Sequence, residues 1–133
     1  MASVFQKLNL KEQSEIVVLG APESFEPELG SLPAVRVVRD AQDAREINFA
    51  LCFVTSPGEV QAAALSVLAS MQGDALLWFA YPKGTSHTYK STINRDHGWD
   101  VLGSAGWVPV RQVAIDDDWS ALRFRRSIYV KRT

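Results

Sequence analysis

Ala75-Leu76-Leu77-Trp78-Phe79-Ala80-Tyr81 is an unbroken apolar run that Pro82 ends, and it decides the fold. A short continuous run bounded in this way is typical of a strand that is buried on both faces of a sheet. Two similar runs precede it, at residues 15–20 and 47–54. Because strands with two buried faces occur mainly in parallel sheets covered by helices, these runs predict an α/β domain.

The strongest helix signal follows the run at residues 47–54. Thr55-Ser56-Pro57 places a hydroxyl N-cap before a proline at the first helical position. Glu59 then lies in the first turn, where its charge is favourable beside the positive end of the helix dipole. Apolar residues continue at spacings of three and four, so the pattern predicts a helix that runs to about Gln72 and ends at Gly73.

Further segments complete the predicted parallel part of the sheet. Asn94 is a suitable N-cap for a second helix over residues 95–105, which Gly106 ends. Residues 35–40 form a short strand, and the proline-rich segment 21–34 is mostly loop. The order of these elements predicts a sheet whose strands are joined by crossover helices.

An antiparallel hairpin is predicted at the end of the chain. Its strands cover residues 107–115 and 122–130, and Asp116-Asp117-Asp118 lies in the turn between them. Aspartates in such turns cap backbone N–H groups, which we favour over a metal site, and Trp119 is expected to fold over the core. The chain is therefore predicted to form a Rossmann-like, mostly parallel sheet with crossover helices and a C-terminal antiparallel β-hairpin.

Length and composition fit one globular domain. The chain has 133 residues, of which 47% are hydrophobic, and its formal net charge is -1. We therefore assign residues 1–133 to a single domain, in which residues 1–14 are an N-terminal extension expected to be flexible. The nearly neutral charge argues against a nucleic-acid surface. Because no secretory signal or membrane-length apolar stretch is seen, we expect a cytoplasmic protein that does not bind membranes.

Two resemblances add to this prediction. The order of elements over residues 15–130 resembles the class I methyltransferase form of the Rossmann fold. Residues 77–83, which include W-x-A-W/Y-P-K, and residues 114–123, which include D-x-x-W-S-x-L-R, together with Val18-Leu19-Gly20-Ala21-Pro22, resemble a family of small bacterial proteins of unknown function. The second resemblance implies a fold and a bacterial cytoplasmic setting, and it implies no activity.

A cation-rich loop follows the central strand, where open α/β sheets bind their ligands. The loop gathers lysines, hydroxyl groups and a glycine ahead of the predicted second helix, and these groups suit a phosphate, sulfate or carboxylate. A solvent-exposed crossover loop has the same composition, and the spacing of a P-loop is missing. The candidate ligand-binding residues are Lys83, Gly84, Thr85, Ser86, Lys90, Asn94 and Arg95.

Gly20 and Asp40 are the candidates for cofactor binding. Gly20 follows the first strand and permits close approach of a backbone, and Asp40 follows the second strand, where a carboxylate accepts hydrogen bonds from ribose hydroxyls. The G-x-G-x-x-G pattern is absent, and we favour a tight turn at Gly20 and a solvated carboxylate at Asp40 as the explanation of these residues. The sequence therefore leaves the cofactor unknown.

No catalytic or metal-binding constellation is predicted. His87 and His97 lack nearby acids at a zinc-site spacing, and Cys52 lies within an apolar strand, where cysteine behaves as a small hydrophobic residue. We therefore favour a non-enzymatic binding module for a small anionic ligand or a protein partner. Two alternatives stay open: a degenerate S-adenosylmethionine-dependent methyltransferase-like enzyme, and a homo-oligomeric interaction domain, such as a homodimer formed through the edge hairpin.

Overall fold

A sheet of six strands is seen in the computed structural model, which describes residues 4–11, 13–32, 35–44 and 46–130. The strands are β1 (Glu15–Leu19), β2 (Arg36–Val38), β3 (Ile47–Phe53), β4 (Met71–Pro82), β5 (Trp107–Ala114) and β6 (Trp119–Arg126). Their order across the sheet is β2-β1-β3-β4-β6-β5. The first four strands pair in parallel, and β6 runs antiparallel to both β4 and β5. The predicted Rossmann-like sheet with a C-terminal hairpin is therefore confirmed.

Helices cover the sheet on both faces because successive strand residues point to opposite sides. The helices are α1 (Val4–Lys7), α2 (Glu26–Gly30), α3 (Pro57–Val67) and α4 (Asp100–Ser104). On one face, residues of α1 and α2 pack with alternate residues of the strands, and on the other face α3 and α4 do the same. Two apolar cores result, one on each side of the sheet.

The N-terminal segment packs against the first of these cores. Phe5 and Leu8 are buried, and the indole Nε1 of Trp78 donates a hydrogen bond of 2.9 Å to the carbonyl oxygen of Leu8. In this structure residues 4–11 are thus part of the packed domain. Residues 1–3 and 12 of the predicted N-terminal extension lie outside the described residues, as do residues 33–34 of the predicted loop and Arg45.

The start of α3 is as predicted, and its end is not. Ser56 Oγ accepts a hydrogen bond from the Glu59 N–H, and Glu59 Oε1 accepts one of 2.8 Å from the Thr55 N–H. The helix ends at Val67 instead of near residue 72, and β4 already begins at Met71. Met71 pairs with Ile47 of β3, so its apolar side chain is buried by the sheet and does not extend the helical pattern.

The predicted second helix is shorter than expected, because α4 covers only residues 100–104. Asn94 does not cap a helix. Its Oδ1 accepts a hydrogen bond of 2.9 Å from the Asp96 N–H, which closes a local turn. Gly98 follows with φ +106°, and a Cβ at this position would lie 2.2 Å from Ile93 Cγ2. A residue with this positive φ cannot continue a right-handed helix, so residues 95–98 form a turn.

The hairpin differs from the prediction in the limits of its second strand. β6 begins at Trp119 instead of Leu122, because Trp119 and Ser120 pair with the end of β4, and it ends at Arg126. In the turn, Asp116 Oδ1 accepts hydrogen bonds from the N–H groups of Asp118 and Trp119. The predicted capping role of this aspartate and the packing of Trp119 over the core are both confirmed.

We predict that Ser56→Ala lowers the free energy of unfolding by about 1 kcal/mol, because the first turn of α3 loses its N-cap. Urea unfolding followed by circular dichroism measures this loss. The matched control is Ser66→Ala, at an exposed position near the C-terminal end of the same helix, where the hydroxyl donates to the Ala62 carbonyl oxygen. Equal losses for the two variants would contradict the capping role.

Gly20 is required by the turn that follows β1. Its φ is +69°, and a Cβ there would lie 2.9 Å from the carbonyl oxygen of Phe53. We predict that Gly20→Ala costs about 2 kcal/mol or more of unfolding free energy, because strain and a backbone contact act together. Gly103→Ala is the control, since α4 has open space at that position. The interpretation fails if the Gly20 variant is as stable as the Gly103 variant in urea.

Candidate functional site

The carboxyl ends of the parallel strands carry two cavities. The chain leaves β1 for β2 on one side and returns to β3 on the other, so the topological switch point lies between β1 and β3. One cavity opens beyond the end of β4, and we call it the loop cavity. The other lies at the switch point itself, and we call it the switch-point cavity.

The loop cavity has a volume of about 450 Å³. Its walls come from the end of β4 and from the loop that follows, and they consist of Tyr81, Pro82, Lys83, Gly84, Ser86, Tyr89, Lys90, Ser91, Ile93 and Asn94. Five of the seven candidate ligand-binding residues are thus brought together. Thr85 is exposed and is not among the lining residues, and Arg95 lines a different cavity beside β5.

The loop is held at both ends by other parts of the fold. The Lys83 N–H donates to the carbonyl oxygen of Asp118, and Ser86 Oγ donates to Asp118 Oδ1, both at 2.8 Å. At the far end, the Thr92 N–H donates to the carbonyl oxygen of Thr55 at 2.9 Å. The loop therefore spans from the hairpin turn to the end of β3, and these two anchors shape the cavity.

Charge in the loop cavity comes from lysine side chains. Lys83 and Lys90 line it, and none of the described lining residues is acidic. The sequence analysis expected a helix dipole beside the loop as a further attraction for an anion. This dipole is absent, because α4 begins at Asp100 and Asn94 closes a turn. The expected helix N-terminus beside the loop is therefore wrong, and no helix dipole adds to the charge of the lysines.

Tyr81 forms the inner wall of the loop cavity. Its hydroxyl oxygen accepts a hydrogen bond of 2.6 Å from Gln112 Nε2 of the hairpin. Burial raises the pKa of the Tyr81 hydroxyl, although the nearby charge of Arg95 acts in the opposite direction. Tyr81 therefore stays protonated at neutral pH and remains a hydrogen-bond donor.

The switch-point cavity has a volume of about 460 Å³ and is lined mainly by apolar groups. Gly20 and Phe53 contribute from the strand ends, and one face of α3 closes the other side. Polar groups are few. Glu59 is already bonded to Thr55, and the Ser66 hydroxyl donates to its own helix.

The two cofactor candidates do not meet. Gly20 lines the switch-point cavity, whereas Asp40 is absent from its lining. Asp40 is exposed, and its Oδ1 accepts a hydrogen bond of 3.0 Å from the Gln42 N–H, which caps the turn at Ala41–Asp43. The arrangement expected for a ribose, with a glycine and a carboxylate in one pocket, is therefore not formed by these two residues.

Aromatic side chains fill the α1 and α2 side of the sheet at the carboxyl ends of the parallel strands. Phe53 packs against Phe25 with ring centroids 4.9 Å apart and against Trp119 at 5.1 Å, and Tyr89 covers Trp119 at 4.9 Å. The sequence analysis anticipated the position of Trp119. It missed Tyr89 as a cavity wall, because only the tertiary contact with Trp119 of the hairpin places it there.

The other candidates for chemistry lie apart from one another. His87 and His97 are exposed, and Cys52 is buried in β3, where burial raises the pKa of its thiol to about 12. A thiol with this pKa is not a nucleophile at neutral pH. Among residues 4–11, 13–32, 35–44 and 46–130, no three His, Cys, Asp or Glu side chains converge as a metal site. The helices in that part of the chain are also too short or too polar to cross a bilayer.

Comparisons with known proteins bear on the fold. No protein-family model matches the chain, and no curated sequence matches it. The fibrillarin pre-rRNA processing protein of Methanococcus jannaschii is similar in structure, with a TM-score of 0.54 and 12% identity over 88% of this chain and 68% of that one. The pyocyanin biosynthetic protein PhzM gives a TM-score of 0.54 and 12% identity over 93% of this chain.

Only 54% of PhzM is covered, so this chain spans about half the length of that protein. A putative type 11 methyltransferase from Sulfolobus solfataricus has a TM-score of 0.49 and 8% identity, over 90% of this chain and 88% of that one. At these identities the likenesses show the fold alone. The domain has a Rossmann-like, methyltransferase-like α/β fold.

Proposed function

We propose that this domain is a binding module for a small anionic ligand, which it holds in the loop cavity. One observation carries the proposal. The cavity beyond the end of β4 is lined by Lys83 and Lys90, and none of its described lining residues is acidic. Its volume of about 450 Å³ is in the range of small-molecule sites.

The position of the cavity supports the same proposal. In open α/β sheets, ligands bind outside the carboxyl ends of the strands, and β4 ends at the floor of this cavity. Lys83 is half-buried and Lys90 is exposed. Together they bring two positive charges to the wall of the cavity, which suits recognition of charge more than of detailed shape.

The titratable groups of the lining suit the binding of an anion. They are two lysines and two tyrosines, and Tyr81 is held protonated by burial. The two lysines suit the recognition of a phosphate, sulfate or carboxylate group, and we assign that role to this cavity.

We predict that inorganic phosphate and sulfate raise the melting temperature of the wild-type protein, because a ligand that binds only the folded state stabilises it. Lys83→Ala combined with Lys90→Ala should remove most of this gain. A thermal-shift titration with sodium phosphate, at constant ionic strength maintained with sodium chloride, measures both effects.

The matched control is Lys7→Ala combined with Lys11→Ala, which removes the same charge from exposed positions near α1. This variant should keep the full response to phosphate. The proposal fails if wild type gains nothing from either anion. It also fails if the two double variants lose the response equally, because the effect would then depend on net charge and not on the loop cavity.

A second candidate function is binding of S-adenosylmethionine in the switch-point cavity. The observation that favours it is a mainly apolar cavity of about 460 Å³ at the position where Rossmann-like sheets bind nucleotide cofactors. Gly20, whose φ is positive, directly follows the end of β1, where such a site requires a tight turn. The separation of Asp40 from the cavity counts against it.

Calorimetric titration with S-adenosylmethionine separates the two candidates. If the second is correct, we expect heat of binding from wild type and none from Ala62→Phe, which fills the switch-point cavity from α3. Gln61→Phe adds the same ring to an exposed position of that helix outside the cavity, and it should behave as wild type. Absence of heat from the wild-type protein rules this candidate out.

A further inference from the structure

We propose that one face of the C-terminal hairpin binds an extended, acidic segment of a partner protein. The surface consists of Arg111, Arg123 and Arg125, and we call it the hairpin arginine patch. It lies on β5 and β6 and includes none of the residues that line the loop cavity. The inference therefore does not depend on the proposed anion site.

Strand register places the three guanidinium groups on the same face of the sheet. Arg111 of β5 pairs with Arg123 of β6, and paired residues of antiparallel strands share a face. Arg125 lies two residues further along β6, so it points the same way at a spacing of about 6.8 Å. Trp78 of β4 pairs with Arg123, which assigns the patch to the α1 and α2 side of the sheet.

The described helices of this face do not bury the patch. The turn that follows α1 reaches β4, where the carbonyl oxygen of Leu8 accepts the hydrogen bond of Trp78. Further out, Arg111 is exposed, and Arg123 and Arg125 are half-buried. This part of the sheet thus presents its arginines to solvent.

The patch has more positive than negative charge. Asp74 accepts hydrogen bonds from Arg125, with its Oδ1 2.8 Å from the arginine Nε, and this contact holds the pKa of Asp74 below its usual range. Arg111 forms no ion pair with the described residues. The Nε atom of Arg123 is buried and has no hydrogen-bond partner among them. Arg125 is thus held by Asp74, and the groups that a carboxylate from another molecule can reach are the guanidinium of Arg111 and the terminal nitrogens of Arg123, not its buried Nε.

Charge is also segregated along the chain. Residues 1–70 carry nine acidic and five basic side chains, whereas residues 71–133 carry six acidic and nine basic ones. The first group supplies β1, β2 and β3, and the second supplies β4, β5 and β6. The part of the sequence that supplies the hairpin is therefore the less acidic part, which favours attraction of an anionic partner toward it.

The spacing of the patch fits an extended peptide. Arg111 and Arg123 lie side by side on neighbouring strands, so acidic side chains on one side of an extended chain can approach both guanidinium groups. Nucleic acid fits less well. Single strands are held largely by stacking on exposed aromatic rings, and the tryptophans that belong to this face, Trp78 and Trp119, are buried.

The test is a titration of the folded protein with a short peptide of alternating Glu and Thr, followed by nitrogen-edited NMR of the arginine Nε–Hε groups. We expect the signals of Arg111 and Arg123 to shift, and a peptide of alternating Gln and Thr to leave them unchanged. Arg111→Gln should weaken binding about threefold, and Arg111→Gln with Arg123→Gln about tenfold.

The control is Arg36→Gln with Arg39→Gln, which removes the same charge at the opposite edge of the sheet and should leave the affinity unchanged. Because Arg123 is half-buried, the melting temperature of each variant is measured first. If the double variant is unfolded, the test rests on Arg111→Gln alone, since Arg111 is exposed. The proposal is overturned if the Gln peptide binds as well, or if the control variant weakens binding equally. It is also overturned if a thymidine oligonucleotide binds more tightly, or if the shifts come from self-association.

Discussion

The complete enclosure of β4 is the constraint on which the rest of this structure depends. Residues 77–80 are almost inaccessible to solvent, and the strand has hydrogen-bonded neighbours on both edges, β3 in parallel and β6 antiparallel. Each large apolar side chain buried in this way contributes about 1.5 to 3 kcal/mol, so the strand requires a helix layer on each face. The N-terminal segment, α3 and the hairpin all pack where this requirement places them.

The same enclosure positions the candidate site. Because β4 is buried on all sides, the chain can reach the surface only where this strand ends, which is at Pro82. The loop that follows then lies between the end of β3 and the hairpin turn, and backbone hydrogen bonds to Thr55 and Asp118 fix it there. The fold therefore shapes the cavity, because the hydrogen bonds that anchor the loop also fix the residues that form the cavity walls. The hairpin arginine patch is a second consequence, since the later part of β6, at Arg123 and Arg125, is only half-buried.

Local signals were reliable where the structure uses local interactions. The N-cap at Ser56 and the capping by Asp116 depend on atoms within three residues, and both were predictable. Errors occurred where a distant partner decides. Met71 continues a helical spacing, yet pairing with Ile47 makes it a strand residue. Asn94 has the chemistry of a helix cap, but Gly98 and its contact with Ile93 turn the chain before a helix can start.

The sequence by itself determined the class of fold, because apolar runs, caps and breakers specify which segments are strands and helices and in what order. It also indicated the loop 83–95, whose lysines and hydroxyls are visible without a structure. The tertiary structure alone decided which of those residues share a cavity, that Asp40 lies away from Gly20, and that three arginines align on one face. These are properties of strand register and of contacts between distant segments, which a one-dimensional pattern does not contain.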